Sequence, residues 1–119
     1  MNADEDGNTA LHLACSEKRS KVAEILLING ADVQSRNAKK WTPLDCAAAA
    51  GSYSCAKLLL QNDAPIDPVD RTKTTPLHLA AENGHEKVIL LLLSHGANIA
   101  SEDAYGRNML ELAILSRKR

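Results

Sequence analysis

The sequence predicts an all-α solenoid of stacked helix-turn-helix units with short β-hairpin-like fingers between them. Three observations carry this. Thr9, Thr42, Thr75 and Asn108 recur at an unbroken interval of 33 residues, as do Leu11, Leu44, Leu77 and Leu110, and Ala14, Ala47, Ala80 and Ala113. Self-similarity at such a period marks a repeat architecture. Threonine-proline pairs open segments that glycines close. Within the segments, apolar residues lie three and four apart, the spacing of one helix face. A helix pair of this size cannot bury its own apolar face, so neighbouring units must stack to close a core.

The units read as residues 4–36, 37–69 and 70–102, with a partial unit over 103–119, all in a single domain spanning 1–119. Thr42-Pro43 and Thr75-Pro76 start first helices, because the hydroxyl caps a free amide and proline fits the first turn. The first helix runs as in Thr75 to Asn83 and stops at Gly51 or Gly84, where left-handed backbone is cheapest for glycine. Second helices follow over Ser20 to Asn29, Ser52 to Asn62 and His85 to His95. Their expected buried stripe is Val22, Ile25 and Leu26 in the first unit and Val88, Leu91 and Leu92 in the third. Gly30 and Gly96 end this helix, and Asp63, which tolerates left-handed backbone, stands in their place in the middle unit. The partial unit has only its turn and first helix, so that helix should be the weakest part of the fold.

Composition narrows the chemistry. Hydrophobic residues make up 45% of the 119, enough for a core, but there is no Phe, so packing falls to Leu, Ile, Val and Ala. A formal net charge of -1 and a pI near 6.4 exclude the broad positive field that dominates nucleic-acid binding. The longest apolar run, Val88 to Leu93, is far short of the roughly 20 residues that span a bilayer. The acidic start MNADEDGNT has no hydrophobic region of a secretory signal. Cys15, Cys46 and Cys55 form no C-x-x-C pair, so neither a disulfide framework nor a zinc ribbon is expected, and a reducing compartment is the default. Glycine-rich phosphate motifs are absent, and Arg117-Lys118-Arg119 is the one basic run. No cofactor and no metal are expected.

TALHLA (9–14), WTPLDCA (41–47) and TTPLHLAAENGH (74–85), with LLINGADV (26–33) and LLLSHGANI (91–99), resemble the ankyrin repeat, and the resemblance covers nearly the whole chain. It implies a noncatalytic protein-interaction and scaffold module that meets partners through a concave face of fingers and first helices. Residues 39–85, with PLDCAAA and the connector NDAPIDPVD, are similar to the cytoplasmic ankyrin array of TRPA-type transient receptor potential cation channels, as is GRNMLELAI (106–114). That similarity implies a fragment of a long array on the cytoplasmic side of the plasma membrane, with neighbouring repeats and no membrane insertion of its own. The halved last unit and a Met1 that falls inside a finger fit such an excision. The alternative is a soluble cytosolic ankyrin adaptor that bridges two proteins.

Residues that suggest chemistry have structural readings. His12, Asp45, His78 and Glu111 share one repeat position. Equivalent positions on stacked helices lie about 8–10 Å apart, beyond the roughly 3 Å reach of a catalytic hydrogen bond. They are expected to bond local turn backbone and tie neighbouring fingers together. His85 and His95 are expected at helix ends, His95 in a last turn where its charge suits the dipole. Cys46 aligns with Leu13 and Leu79, and Cys55 with Val22 and Val88, so both are expected in the core, where thiols are inert. Cys15 aligns with Ala48 and Ala81 and is expected to be less covered. TRPA-type channels are electrophile sensors, but the resemblance assigns that role to none of the three.

The remaining signal lies in the fingers. Asp4, Glu5 and Asp6 make the first acidic; the second carries Arg36, Lys39, Lys40 and Trp41, the third Arg71 and Lys73, the fourth Tyr105 and Arg107. Arginine and aromatic residues anchor protein interfaces. One expectation is a basic-aromatic patch of Lys39, Lys40, Trp41, Arg71, Lys73, Tyr105 and Arg107 that meets an acidic partner segment. The other is that Trp41 packs flat on its neighbouring finger and the charges are only solvated. On the first helices, Ser16-Glu17, Ala49-Ala50 and Glu82-Asn83 are expected to face the concavity, with Ala49 and Ala50 leaving a smooth spot for a partner side chain.

Overall fold

A threonine starts the first helix of each of the first three units. Thr9, Thr42 and Thr75 lie in extended backbone, and each hydroxyl accepts the amide of the residue three places on. That residue, His12, Asp45 or His78, accepts the threonine amide in return, so two free donors are satisfied at once. Pro43 and Pro76 follow in the first turn, where a missing amide costs nothing.

The structure, a computed structural model, describes residues 5–117 and places seven helices among them. These are α1 (Ala10–Ser16), α2 (Ser20–Ile28), α3 (Pro43–Ala50), α4 (Tyr53–Gln61), α5 (Pro76–Glu82), α6 (Glu86–Ser94) and α7 (Met109–Arg117). First helices stop at Lys18, Gly51 and Gly84, second helices at Gly30, Asp63 and Gly96, all at positive φ. The left-handed stop therefore belongs to the unit, and Lys18 and Asp63 hold it without glycine.

Helices α1, α3, α5 and α7 pack side by side in one layer and α2, α4 and α6 in a second, with each helix pair joined across the layers. No strand is present among the described residues. The fingers close as tight loops instead, through amide-carbonyl bonds from Asn37 to Trp41, Asp70 to Thr74 and Asp103 to Arg107. Leu11, Leu44 and Leu77 line up in the core, with Leu59, Val88 and Leu92 facing them from the second layer. Ala14, Ala47 and Ala80 let the first helices approach closely.

The stripe expected in the third unit is buried: Val88, Leu91 and Leu92. The first unit departs from expectation. Val22 is 42% and Ile25 59% exposed, and Leu26 is half-buried. Leu13 is exposed although Cys46 and Leu79, at the same repeat position, are buried. Inner units are covered from both sides, whereas no described element lies over the outer face of α1 and α2. The same holds at the far end, where Leu110 is exposed and Met109 and Leu112 carry the packing of α7. Cys15 is also corrected: it is fully buried, because its thiol meets that of Cys55 on α4.

Helix α7 packs chiefly against α5 and has no second-layer partner among the described residues. Amides of Leu110 to Leu115 should therefore exchange hydrogen well before those of Leu58 to Leu60. Equal protection would mean that another surface covers α7.

Candidate protein-binding surface

Each of the second to fourth fingers is organised by one side chain. Asn37 Oδ1 accepts the amides of Lys39 and Trp41 at 2.9 and 3.0 Å. Asp70 Oδ1 accepts those of Thr72 and Thr74 at 2.8 and 2.9 Å, and Asp103 Oδ1 those of Tyr105 and Arg107 at 2.9 and 3.0 Å. The three residues are 33 apart, so the signal was present in the sequence. Burial pushes both carboxyls up, but these donors outweigh it, and Asp70 and Asp103 end below the ordinary carboxylate value. On Asp70 the Trp41 indole adds to the effect, on Asp103 the Arg107 guanidinium.

The joints between fingers differ. The Ala38 amide donates to the Asp6 carbonyl at 2.9 Å, and the Ala104 amide to the Thr72 carbonyl at 2.8 Å. Side chains secure the middle joint. Trp41 Nε1 donates to Asp70 Oδ2 at 2.9 Å. Arg36 reaches the carbonyls of Lys40 and Val69 at 3.0 and 2.8 Å, and Arg71 that of Ala38 at 3.4 Å. Trp41 is half-buried against the core, with the Lys39 ammonium 5.0 Å from its ring centre. In the fourth finger Arg107 pairs with Asp103 at 2.9 Å and lies 4.9 Å from the Tyr105 ring centre. Lys40 and Lys73 project from exposed tips. The seven patch residues thus share one series of fingers, but several of them hold the fingers together. Asp4 lies outside the described residues, as do Lys118 and Arg119 of the basic run.

The repeated His/Asp/Glu position is structural in detail. The Thr9 and Thr75 amides donate to Nδ1 of His12 and His78 at 3.1 and 3.0 Å. That leaves the proton on Nε2, which donates to the Trp41 carbonyl at 2.8 Å and the Ser101 carbonyl at 2.9 Å. Both ring nitrogens are occupied; the His12 imidazole ties its unit to the second finger, and that of His78 holds the connector just before the fourth finger. Among the described residues Asp45 and Glu111 make only local bonds, Asp45 with the amide and hydroxyl of Thr42 and Glu111 with the amide of Asn108. Asp45 is fully buried, and its Oδ1 has no partner among the described residues. Burial pushes its carboxyl up to about 7, against the opposing pull of the Thr42 amide and hydroxyl.

His95 caps the end of α6. His85 precedes α6 and does more than expected: its Nε2 donates to the Ala49 carbonyl at 3.1 Å. Its ring fills the space beside Gly51, where a Cβ would come within 2.5 Å of Nδ1. The thiols are closed in. Cys46 is pushed up to about 11 by burial, and Cys15 is pushed far up by its hydrogen bond to Cys55 and by burial. No group of three or more metal-binding side chains converges among the described residues.

A stack of helix pairs with a self-braced finger at each junction is a repeat-built binding scaffold. The family model of ankyrin repeats matches residues 1–37, 22–103 and 64–119, and the chain belongs to that family. Ankyrin repeats are protein-interaction modules. Over 48 residues the chain is 44% identical to the transient receptor potential cation channel subfamily A member 1 homolog of Caenorhabditis elegans, covering 40% of this chain and 4% of that protein. Over 52 residues it is 40% identical to an ankyrin repeat protein of Rickettsia felis, covering 40% of this chain and 23% of that protein. The chain therefore spans only a small part of these relatives. No described helix is long and apolar enough to cross a membrane.

Two measurements check the energetics. Trp41→Phe keeps an aromatic ring, though a smaller one, and removes the Asp70 bond, so urea denaturation at neutral pH should show a loss of about 1 kcal/mol from that bond. Asp70 is ionised with a lowered folded pKa, so the loss should shrink as pH falls through the carboxylate range; a pH-independent loss would assign it to packing. Asp45 has the opposite sign. Its folded value of about 7 exceeds the ordinary carboxyl value of 3.8, so its contribution is full below the lower value and is lost as pH rises through the higher one. Asp45→Asn should therefore gain on the native chain between pH 4 and 8, by at most about 4 kcal/mol. A constant difference across that range would contradict the assignment.

Proposed function

We propose that this chain is a noncatalytic scaffold segment of a longer ankyrin array, the cytoplasmic array of a TRPA-type cation channel, and that its second to fourth fingers receive an acidic partner segment. The observation that carries the first part is the outer face of the first unit. Leu13 and Val22 lie open there, whereas the same positions in the inner units, Cys46 and Leu79, Cys55 and Val88, are buried. A face built like the inside of the stack accepts a further helix pair. The stretch shared with the nematode channel homolog supports the channel as the parent. A soluble cytosolic adaptor bridging two proteins is the second reading, favoured by the Rickettsia relative, whose name carries no channel.

In this reading residues 1–119 form one domain with units 4–36, 37–69, 70–102 and a partial 103–119. Each interface contributes a nearest-neighbour term, so strain or a ligand at one unit is felt by the next. That makes the array an elastic and regulatory coupling element. The finger patch is supported by charge: Lys39, Lys40, Arg71 and Lys73 are exposed, while Asp70 and Asp103 turn toward amides of their own fingers. The noncatalytic reading is supported by histidines whose ring nitrogens are held by backbone groups.

The reading frame of the parent gene separates the two parents. Further repeats followed by six hydrophobic helices are expected; a stop soon after Arg119, or another appended domain, would favour the adaptor. Hydroxyl-radical footprinting tests the stacking face directly. Labelling of Leu13, Val22 and Ile25 should fall several-fold in the parent protein relative to the 119-residue chain. Undiminished labelling would contradict a preceding repeat.

A further inference from the structure

The tip of every finger takes left-handed backbone, at Gly7, Lys40, Lys73 and Gly106, with φ of 75°, 66°, 58° and 74°. These positions are 33 residues apart. Fingers one and four use glycine, which adopts this conformation freely. Fingers two and three use lysine, whose Cβ crowds the following carbonyl. Lys18 and Asp63 are the other non-glycine residues at positive φ, and both sit at helix ends. Only the finger tips place the same strained residue in two adjacent units.

The two lysines differ from the rest of the patch. Lys39 lies over Trp41, Trp41 is bonded to Asp70, Arg71 to Ala38, and Arg107 to Asp103 and Tyr105. Neither Lys40 nor Lys73 has an ion pair among the described residues. Their left-handed backbone is held by the finger's own bonds, the Lys40 and Lys73 amides donating to the Asn37 and Asp70 carbonyls at 2.9 and 3.1 Å and Arg36 to the Lys40 carbonyl at 3.0 Å, whereas the two side chains lie on exposed tips. A conformation that favours glycine, kept for lysine at two adjacent exposed tips whose charge no ion pair uses among the described residues, points to a role in recognition.

We propose, resting on the reading of the fingers as an acceptor for acidic segments, that Lys40 and Lys73 are the two prongs that recognise an extended acidic peptide with carboxylates three residues apart. Stacked units repeat at about 8–10 Å. A polyproline-type chain rises about 3.1 Å per residue with three residues per turn, so residues three apart share a face at about 9 Å. Acid-rich segments stay extended because their charges repel. The attraction is screened by salt, so binding is strongest at low ionic strength.

The probe is a labelled proline-rich dodecamer carrying two glutamates three residues apart, followed by fluorescence anisotropy against the full 119-residue chain. Lys40→Gly and Lys73→Gly should each weaken binding about 3-fold and the double variant about 10-fold. Melting temperature should rise by about 2–5 °C for each, because glycine relieves the backbone, which separates lost recognition from lost folding. Arginine at both positions should keep binding, and placing the glutamates side by side should weaken it to the double-variant level. Undiminished binding by the double variant, with loss on Arg71→Ala or Lys39→Ala instead, overturns the two prongs but leaves the fingers as the acceptor. Failure of the native chain to bind the peptide overturns both. Capture only by a helical acidic peptide, or only by phosphatidylserine vesicles, overturns the extended peptide as the ligand.

Discussion

The fold depends on one constraint: a short helix pair has an apolar face that it cannot bury by itself. Seven-residue and nine-residue helices such as α1 and α2 are too short to be stable alone in water. Their apolar residues leave water only when the next unit leans on them. This is visible in exposure along the stack. Val88 is buried between neighbours while Val22, the same position in the first unit, is open. Sequence alone does not distinguish the two valines; the number of neighbours does.

Stacking of apolar faces gives little directional specificity, and polar groups supply the register. The threonine that caps a first helix also orients His12 or His78, and that imidazole then reaches Trp41 of the following finger or Ser101 just before it. Asp45 is too short to make the second contact and is left with one buried oxygen unpartnered. The middle joint compensates with Trp41, Arg36 and Arg71. The middle unit thus exchanges a buried histidine tie for a surface one, and the side chains that resemble an interaction patch partly serve that purpose.

The period, the threonine starts and the left-handed stops were legible because each depends on local chemistry that repeats every 33 residues. Burial at the ends was not legible. Val22, Ile25 and Leu13 carry the same apolar signal as inner residues, but exposure is set by what lies outside the unit. The burial of Cys15 was not legible either, because its cover comes from α4 of the next unit rather than from its own. For Trp41, residue type suggested a partner anchor, while the geometry assigns it a bond to the adjacent finger. The distinction rests on Asp70 lying one unit away in space, which the period implies but composition does not.

The claim that neighbouring contacts alone build this protein is tested most directly by lengthening it by one period. A second copy of residues 70–102, placed directly after the first, should give a chain that melts cooperatively and at higher temperature. Its urea dependence should steepen in proportion to the added surface, by roughly a quarter. A lower melting temperature, or loss of a single transition, would contradict a fold assembled from self-similar neighbours.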